Sequence, residues 1–292
     1  MNSLSHIEVS EICNQLGRES PNNIKNVYGG NIHQSWQIEF KNVKFFLKRN
    51  LRKQRFLKFE EYCLKDLQKN VNNKVLIIPK VISYFQVHNA ELLLLEWVDM
   101  QNGNQKKLGK GLGEMHLQGA QSNPIKFGFP VEGFIGLTNQ IKGWENNWID
   151  CFLNLRIIPQ LSILKSNVLD KETKSKVIEK IKSELLKHEP INTQVHGDLW
   201  SGNVGIDRSG KGVIFDPASW WADNEVDIAM TKLFGGFRKE FYDEYHKIFP
   251  IKQGVEKRVI IYNLYHILNH ANMFGGLYFN QVKDYVKAII KM

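Results

Sequence analysis

The string His196-Gly197-Asp198-Leu199-Trp200-Ser201-Gly202-Asn203, with Asp216 thirteen residues beyond Asn203, constrains this chain more than any other feature. The stretch from Thr193 to Asp216 reads as compact strands and loops, with Ile214-Phe215 a strand that ends in the acid. The spacing has a chemical reason. An Asp on such a loop can accept the proton of a hydroxyl group. An Asn five positions on and an acid at the next strand end can offer oxygen ligands to Mg²⁺ on the phosphates. Either acid alone would serve equally well as a turn or helix cap. Their joint spacing points to phosphoryl transfer.

Bulk composition narrows the classes. A chain of 292 residues, 42% hydrophobic and 24% charged, is globular and long enough for one large domain or two lobes. No apolar run approaches the ~20 residues needed to cross a bilayer. The runs Val75 to Ile78 and Leu92 to Leu95 have the length of buried strands. The N-terminus lacks the basic start, apolar core and cleavage site of a signal peptide. Cys13, Cys63 and Cys151 are odd in number and widely spaced, which fits a reducing cytoplasm. The formal charge of +9 comes from lysines scattered among acids. With no interleaving of basic and aromatic residues, a solvated surface is expected, and neither nucleic acid nor membrane is an expected partner.

The periodicities outline an α+β chain. Residues 5 to 16 have helical spacing. Strand-like pieces follow at 24 to 28, 35 to 40 and 44 to 48, broken by Gly29-Gly30. Residues 53 to 70 return to helical spacing, and 80 to 87 and 91 to 98 read as two more strands. Beyond Met100 a helix is expected over 104 to 118, a long loop over 119 to 145, and helices over 145 to 164, 171 to 187 and from Glu225 onward. This outlines a small β-rich N-terminal lobe (1–95), a hinge (96–99) and a larger, mostly helical C-terminal lobe (100–292).

Weaker elements occur in matching order. Lys48 ends the apolar strand Phe45-Phe46-Leu47, where it could touch phosphates, although strand-end lysines are usually just solvated. Glu60, on the following helix, is placed to pair with Lys48, whereas Glu61 next to it points to another face. Gly29 and Gly30 would let the backbone approach phosphate oxygens, or form only a hairpin turn. The Asp-to-Asn loop spacing with the preceding His is the catalytic-loop pattern of kinases.

With these strings in view the chain resembles the fructosamine kinase (ketosamine-3-kinase) family. The resemblance rests on His196 to Asn203, Asp216-Pro217-Ala218 and Glu225-Val226-Asp227-Ile228-Ala229-Met230. It extends to Gly29-Gly30-x-Ile32, Phe127-Gly128-Phe129, Gly143-Trp144 with Trp148, and Asn269-His270-x-Asn272-x-Phe274-Gly275, collinear over essentially the whole chain. It implies a two-lobed protein-kinase-like fold and ATP-dependent phosphorylation of the 3-hydroxyl of ketoamines, free or protein-bound, in deglycation. It further implies Asp198 as catalytic base, Asn203 and Asp216 as Mg²⁺ ligands, Lys48 on phosphate and Glu60 orienting Lys48. Backbone groups of Glu96, Trp97 and Val98 would hold adenine. Two departures stand out. Ala222 and Asn224 replace Gly and Arg, which bears on the substrate side. Residues 27 to 38 contain no cysteine, so no redox-sensitive intermolecular disulfide is expected there, and a monomer is.

Other residues bear on regulation and acceptor. Pro217 should hold Asp216 extended, and the eight residues between Asp216 and Glu225 leave no room for a long activation loop. Gly197 stands where an arginine could receive an activating phosphate. These features argue against a regulated protein kinase. Trp200, two residues past the base, should border the acceptor pocket, with His270 as a second lining residue. His266 and His270 have the i, i+4 spacing of a metal pair but lack a third ligand. Trp220 and Trp221 read as packing residues, and Asp227 as a brace for the loop. Alternatives are a phosphotransferase on an aminoglycoside or choline, disfavoured by the few acids near Glu240, Asp243 and Glu244, and a non-catalytic nucleotide-binding pseudokinase.

Overall fold

Side-chain alternation in one strand organises the N-terminal region. In the computed structural model, which describes residues 3–28, 32–122 and 124–292, the strand Ala90–Glu96 lies between Val43–Asn50 and Val81–Val87. Leu92 and Leu94 face a cluster with Ile12, Trp36, Ile38 and Leu47, whereas Leu93 and Leu95 face Leu57, Leu64 and Leu67. Burial on both faces is why this stretch is continuously aliphatic rather than alternating. Asn23–Val27 and Gln34–Phe40 complete a five-stranded antiparallel sheet. The helix His6–Leu16 covers one face, held by a Ser5/Glu8 capping box and a left-handed Gly17 at its end. The helix Phe56–Leu67 covers the other. Its N-terminus has no local cap. Instead the buried Glu91 carboxylate accepts from the N–H groups of Leu57 and Lys58, at 3.4 and 3.3 Å.

The same alternation sorts Lys48 from Arg49. Lys48 pairs in register with Leu93, on the face that carries the Phe56–Leu67 helix. Arg49 points the other way, into a buried ion pair with Glu8 at 2.9 Å.

The larger C-terminal region is mostly helical. The buried helix Val255–Phe274 runs through its core, flanked by Leu277–Ile290, Lys171–Leu185 and Glu225–Thr231. The segment expected to be one helix over 145 to 164 is helical from Trp148 to Ile163, with a π-helical turn at Leu153–Ile157. The long loop expected over 119 to 145 is corrected. It begins inside the helix Lys106–Gln121 and contains four three-residue strands. Phe127–Phe129 and Gly143–Glu145 join Trp220–Asp223 and Asn192–Val195 in one sheet, and Gly133–Ile135 pairs with Thr138–Gln140 as a hairpin. Strands this short leave no readable period.

A second four-stranded sheet links the two regions. Its inner strands are Val204–Asp207 and Gly212–Ile214. Its outer strands, Leu76–Ile77 and Met100–Gln101, lie on either side of the Val81–Glu96 excursion. The core is likewise continuous, since Leu57, Leu64 and Leu95 share a cluster with Leu108, Leu112 and Ile214. Among the described residues no helix is long and apolar enough to cross a membrane. The free thiols of Cys13, Cys63 and Cys151 form no disulfide.

Candidate active site

The loop carrying Asp198 is held from behind by one carboxylate. Asp227, in the helix Glu225–Thr231 and wholly buried, accepts from the backbone N–H groups of His196 and Gly197 at 2.7 and 2.8 Å. His116 Nε2 donates to the same carboxylate at 3.2 Å, and its Nδ1 meets the Tyr245 hydroxyl at 2.9 Å. Burial pushes the Asp227 carboxyl up, but His116 and the loop amides more than offset this and keep it charged. Gly197 is obligatory here: its φ is +83°, and a Cβ would meet the Ala218 carbonyl oxygen at 2.1 Å.

His196 ties the two acidic segments together. Its Nε2–H donates to the Phe215 carbonyl at 2.9 Å, leaving Nδ1 to accept from Asp198 N–H at 3.3 Å. Burial lowers its pKa, so the ring stays neutral in this bridging tautomer. Asn203 closes the loop, donating to the Asp198 carbonyl at 2.9 Å and to its Oδ2 at 3.2 Å. Burial first, then the Asp216 charge, push the Asp198 carboxyl up to about 7, against the opposing hydrogen bond from Asn203. A carboxylate held there is suited to taking a proton near neutral pH.

Asp216 is brought to Lys48. Lys48 Nζ donates to Glu60 at 2.8 and 2.9 Å and also contacts the Asp216 carboxylate. Burial disfavours the ammonium, but the two carboxylates outweigh it and hold it at about 12. Burial also raises the Asp216 carboxyl, and Lys48 reverses the effect, holding it below the ordinary range. Glu61 is turned away to Lys58 and Lys65, both at 2.7 Å. The extended backbone expected at Asp216 does not form. Its φ is +57°, in the left-handed region. Phe215 N–H donates to the Asn203 carbonyl and Ala218 N–H to the His196 carbonyl, and this bracketing holds a conformation that costs roughly 1–3 kcal/mol.

From Trp200, two residues past Asp198, aromatic rings form a connected wall. Trp200 folds across Gly202, where a Cβ would come within 2.3 Å of the indole. Its ring centroid lies 6.0 Å from Phe234, which in turn lies 5.1 Å from His270. Phe234 brings Trp200 and His270 into one surface. Its only signal in the sequence is an aromatic in the Gly-rich turn after the Glu225–Thr231 helix. His270 Nδ1–H donates to the His266 carbonyl at 2.8 Å, leaving Nε2 as an acceptor. His266 is buried beside Tyr265. Trp220 is a packing residue between Trp148 and Arg156. Ala222 is buried in a strand, and Asn224 donates to the Tyr245 hydroxyl, so neither faces the aromatic wall.

At the crossing between regions, Glu96 N–H donates to the Lys80 carbonyl at 2.8 Å. The Trp97 ring lies 6.3 Å from Phe46, and Val98 is half-buried beside it. Gly29 and Gly30 lie outside the described residues. A separate cluster of His188, Asp223 and Glu225 has the proximity of metal ligands, but Glu225 is taken by Arg258 and Asp223 by Tyr262 and His188.

Comparison with known proteins places this geometry. The family model for fructosamine kinase matches residues 5–292. A probable ketoamine kinase of Synechocystis is 35% identical over 271 residues, covering 92% of this chain and 90% of its own. A chloroplastic protein-ribulosamine 3-kinase of Arabidopsis thaliana is 35% identical over 68% of this chain and 62% of its own. The crystal structure of a putative fructosamine-3-kinase from Haemophilus somnus superposes with a TM-score of 0.84, at 25% identity over 96% of both chains. An aminoglycoside phosphotransferase solved with ADP and hygromycin B shares the fold alone, with a TM-score of 0.64 at 14% identity over 97% of both chains. The two-lobed kinase-like α+β fold is therefore present, and the relatives are named kinases. On the full-length match of the model and the identity to these relatives, the chain belongs to the fructosamine kinase family.

Proposed function

We propose that this kinase transfers the γ-phosphoryl group of ATP to the 3-hydroxyl of a ketoamine, free or protein-bound, of the ribulosamine, erythrulosamine or fructosamine type. The carrying observation is Asp198 itself, its carboxyl raised to about 7 by burial and by the charge of Asp216, which in turn contacts the Lys48–Glu60 pair. In this reading Asp198 takes the hydroxyl proton, the acceptor oxygen bonds to the γ-phosphorus, and the bond to the β,γ-bridging oxygen breaks to release ADP.

Each remaining residue has a defined task. Lys48 neutralises phosphate oxygens, and Glu60 keeps its ammonium aimed. The backbone of Glu96, Trp97 and Val98 receives the adenine edge, and Gly29 and Gly30, outside the described residues, are assigned to phosphate binding. Asn203 and Asp216 fit a Mg²⁺ ion. Both are oxygen donors, and the Asn203 amide nitrogen is committed to Asp198, which leaves its oxygen for a hard cation. The ion supplies charge neutralisation on the phosphates. Trp200 covers the sugar face, and His270 Nε2 accepts from a sugar hydroxyl.

The phosphorylated adduct then loses the amine, which makes the role deglycation. We assign a monomer in the cytoplasm, in keeping with three free thiols. The aminoglycoside alternative is disfavoured because two of the few acids that could meet a polycation are engaged, Asp243 with Lys239 and Glu244 with Lys247. ATP turnover against ribulosamine, erythrulosamine, fructosamine, choline and aminoglycosides tests the reading. Turnover confined to choline or aminoglycosides overturns it.

A further inference from the structure

The hairpin Gly133–Ile135/Thr138–Gln140 packs against both the N-terminal and the C-terminal region. Toward the N-terminal region, the Phe134 ring centroid lies 4.3 Å from that of Phe56 and 6.1 Å from that of Phe59. Gly133 has no room for a side chain there, since a Cβ would meet the Phe59 ring at 2.5 Å. Toward the C-terminal region, Gly136 (φ +58°) abuts Met273, where a Cβ would come within 2.5 Å of the sulfur. Leu137 N–H points at the same sulfur at 3.4 Å, and Gln140 Nε2 donates to the Tyr265 hydroxyl at 3.2 Å. Two glycines in one short hairpin therefore make room for contacts from opposite directions.

The far ends of these contacts lie in the two halves of the site. Phe59 precedes Glu60, and Phe56 packs 5.6 Å from His33, which is within electrostatic reach of Lys48 and Asp216. Tyr265 and Met273 flank Asn269 and His270 on one helix, and Tyr265 is within electrostatic reach of Asp198. Packed in this way, the hairpin cannot shift without moving either the Glu60 helix or the His270 helix.

We propose that this hairpin couples the acceptor side of the cleft to the nucleotide side, with Phe134 as the positioning residue that transmits occupancy of one to the other. The identity of the acceptor rests on the ketoamine reading above, whereas the coupling does not. Phe134 is half-buried while neighbouring Ile135 sits in the core, so truncation at 134 removes the contact without emptying the core.

Hydrogen exchange with and without AMP-PNP and Mg²⁺ tests this without any acceptor. In the wild type, the analogue should slow exchange in the Phe56–Leu67 helix, in the hairpin, and at least about fivefold in residues 265–274. In Phe134→Ala the slowing in 265–274 should fall below about twofold, with affinity for the analogue kept within about threefold. Phe134→Leu should regain most of the effect. Equal slowing of 265–274 in wild type and Phe134→Ala overturns the proposal, as does its absence from the wild type. A lower Tm with transmission intact likewise reduces Phe134 to a packing residue. Failure to phosphorylate ketoamines would overturn the preceding reading and leave this result unaffected.

Discussion

Asn203 Nδ2 donates to both the carbonyl and Oδ2 of Asp198, at 2.9 and 3.2 Å, so Asn203 is fixed with its amide nitrogen inward. Only the amide oxygen is left for another ligand. The same contact opposes the rise in the Asp198 pKa caused by burial and by Asp216. One side chain therefore tempers the Asp198 carboxyl while presenting an oxygen away from it.

Asp198→Asn should lower kcat by roughly 10²–10⁴-fold and leave nucleotide binding nearly intact, because Lys48 and the Glu96–Val98 crossing, assigned to the nucleotide, lie elsewhere. Turnover within about tenfold of wild type would remove Asp198 from this role. Stability should move the opposite way. A carboxyl raised in the folded state stabilises fully below its unfolded pKa, and that contribution is lost as pH rises through about 7. The variant should therefore gain more Tm over wild type at pH 8 than at pH 5.

For the wild type, kcat/KM for the acceptor should fall with unit slope as pH drops below about 7, where Asp198 gains its proton. A flat profile from pH 5.5 to 8.5 in steady-state assays would contradict the assignment.

Asp216→Ala should lose turnover together with divalent-ion-dependent nucleotide affinity. Full activity in excess chelator would sink the metal assignment. Glu60→Gln should raise KM for ATP by at least about fivefold, since Lys48 then keeps one carboxylate partner instead of two.

Trp200→Ala, His270→Ala and Phe234→Ala should each lower kcat/KM for ribulosamine at least about tenfold, with KM for ATP changed less than about threefold. Phe234 is the sharpest of these tests, because it joins the other two rings. Unchanged acceptor parameters in all three variants would place the pocket elsewhere.

Asp227→Ala should cost about 3–5 kcal/mol, because the N–H groups of His196 and Gly197 and the buried His116 lose their acceptor together. Denaturant unfolding measures this directly. A loss below about 1 kcal/mol would mean that the loop is held by other contacts.

What could be read from sequence was what lies close along the chain. The loop from His196 to Asn203 is contiguous, and the strands around Lys48 are marked by continuous aliphatic and aromatic runs. The preference for Glu60 over Glu61 followed from helical spacing alone. What escaped depends on tertiary partners. The four strands between Phe127 and Glu145 are three residues each, and their pairing with Trp220–Asp223 or with each other has no local signature. The positive φ of Asp216 arises from hydrogen bonds on both sides of it, which overrode the preference set by Pro217. The Glu91 cap on the Phe56–Leu67 helix comes from a strand more than thirty residues away.

The outer strands of the linking sheet have a mechanical consequence. Leu76–Ile77 and Met100–Gln101 are its opposite edges, and the Val81–Glu96 hairpin rises between them. Its two feet therefore stand about 14 Å apart, three strand spacings, on a common base that also ends in Asp216. A flap mounted on two separated pins can rock about the line joining them but resists twisting out of it. Because Val43–Asn50 pairs along Ala90–Glu96, the heading of the Lys48 ammonium relative to Asp216 is tied to those two feet.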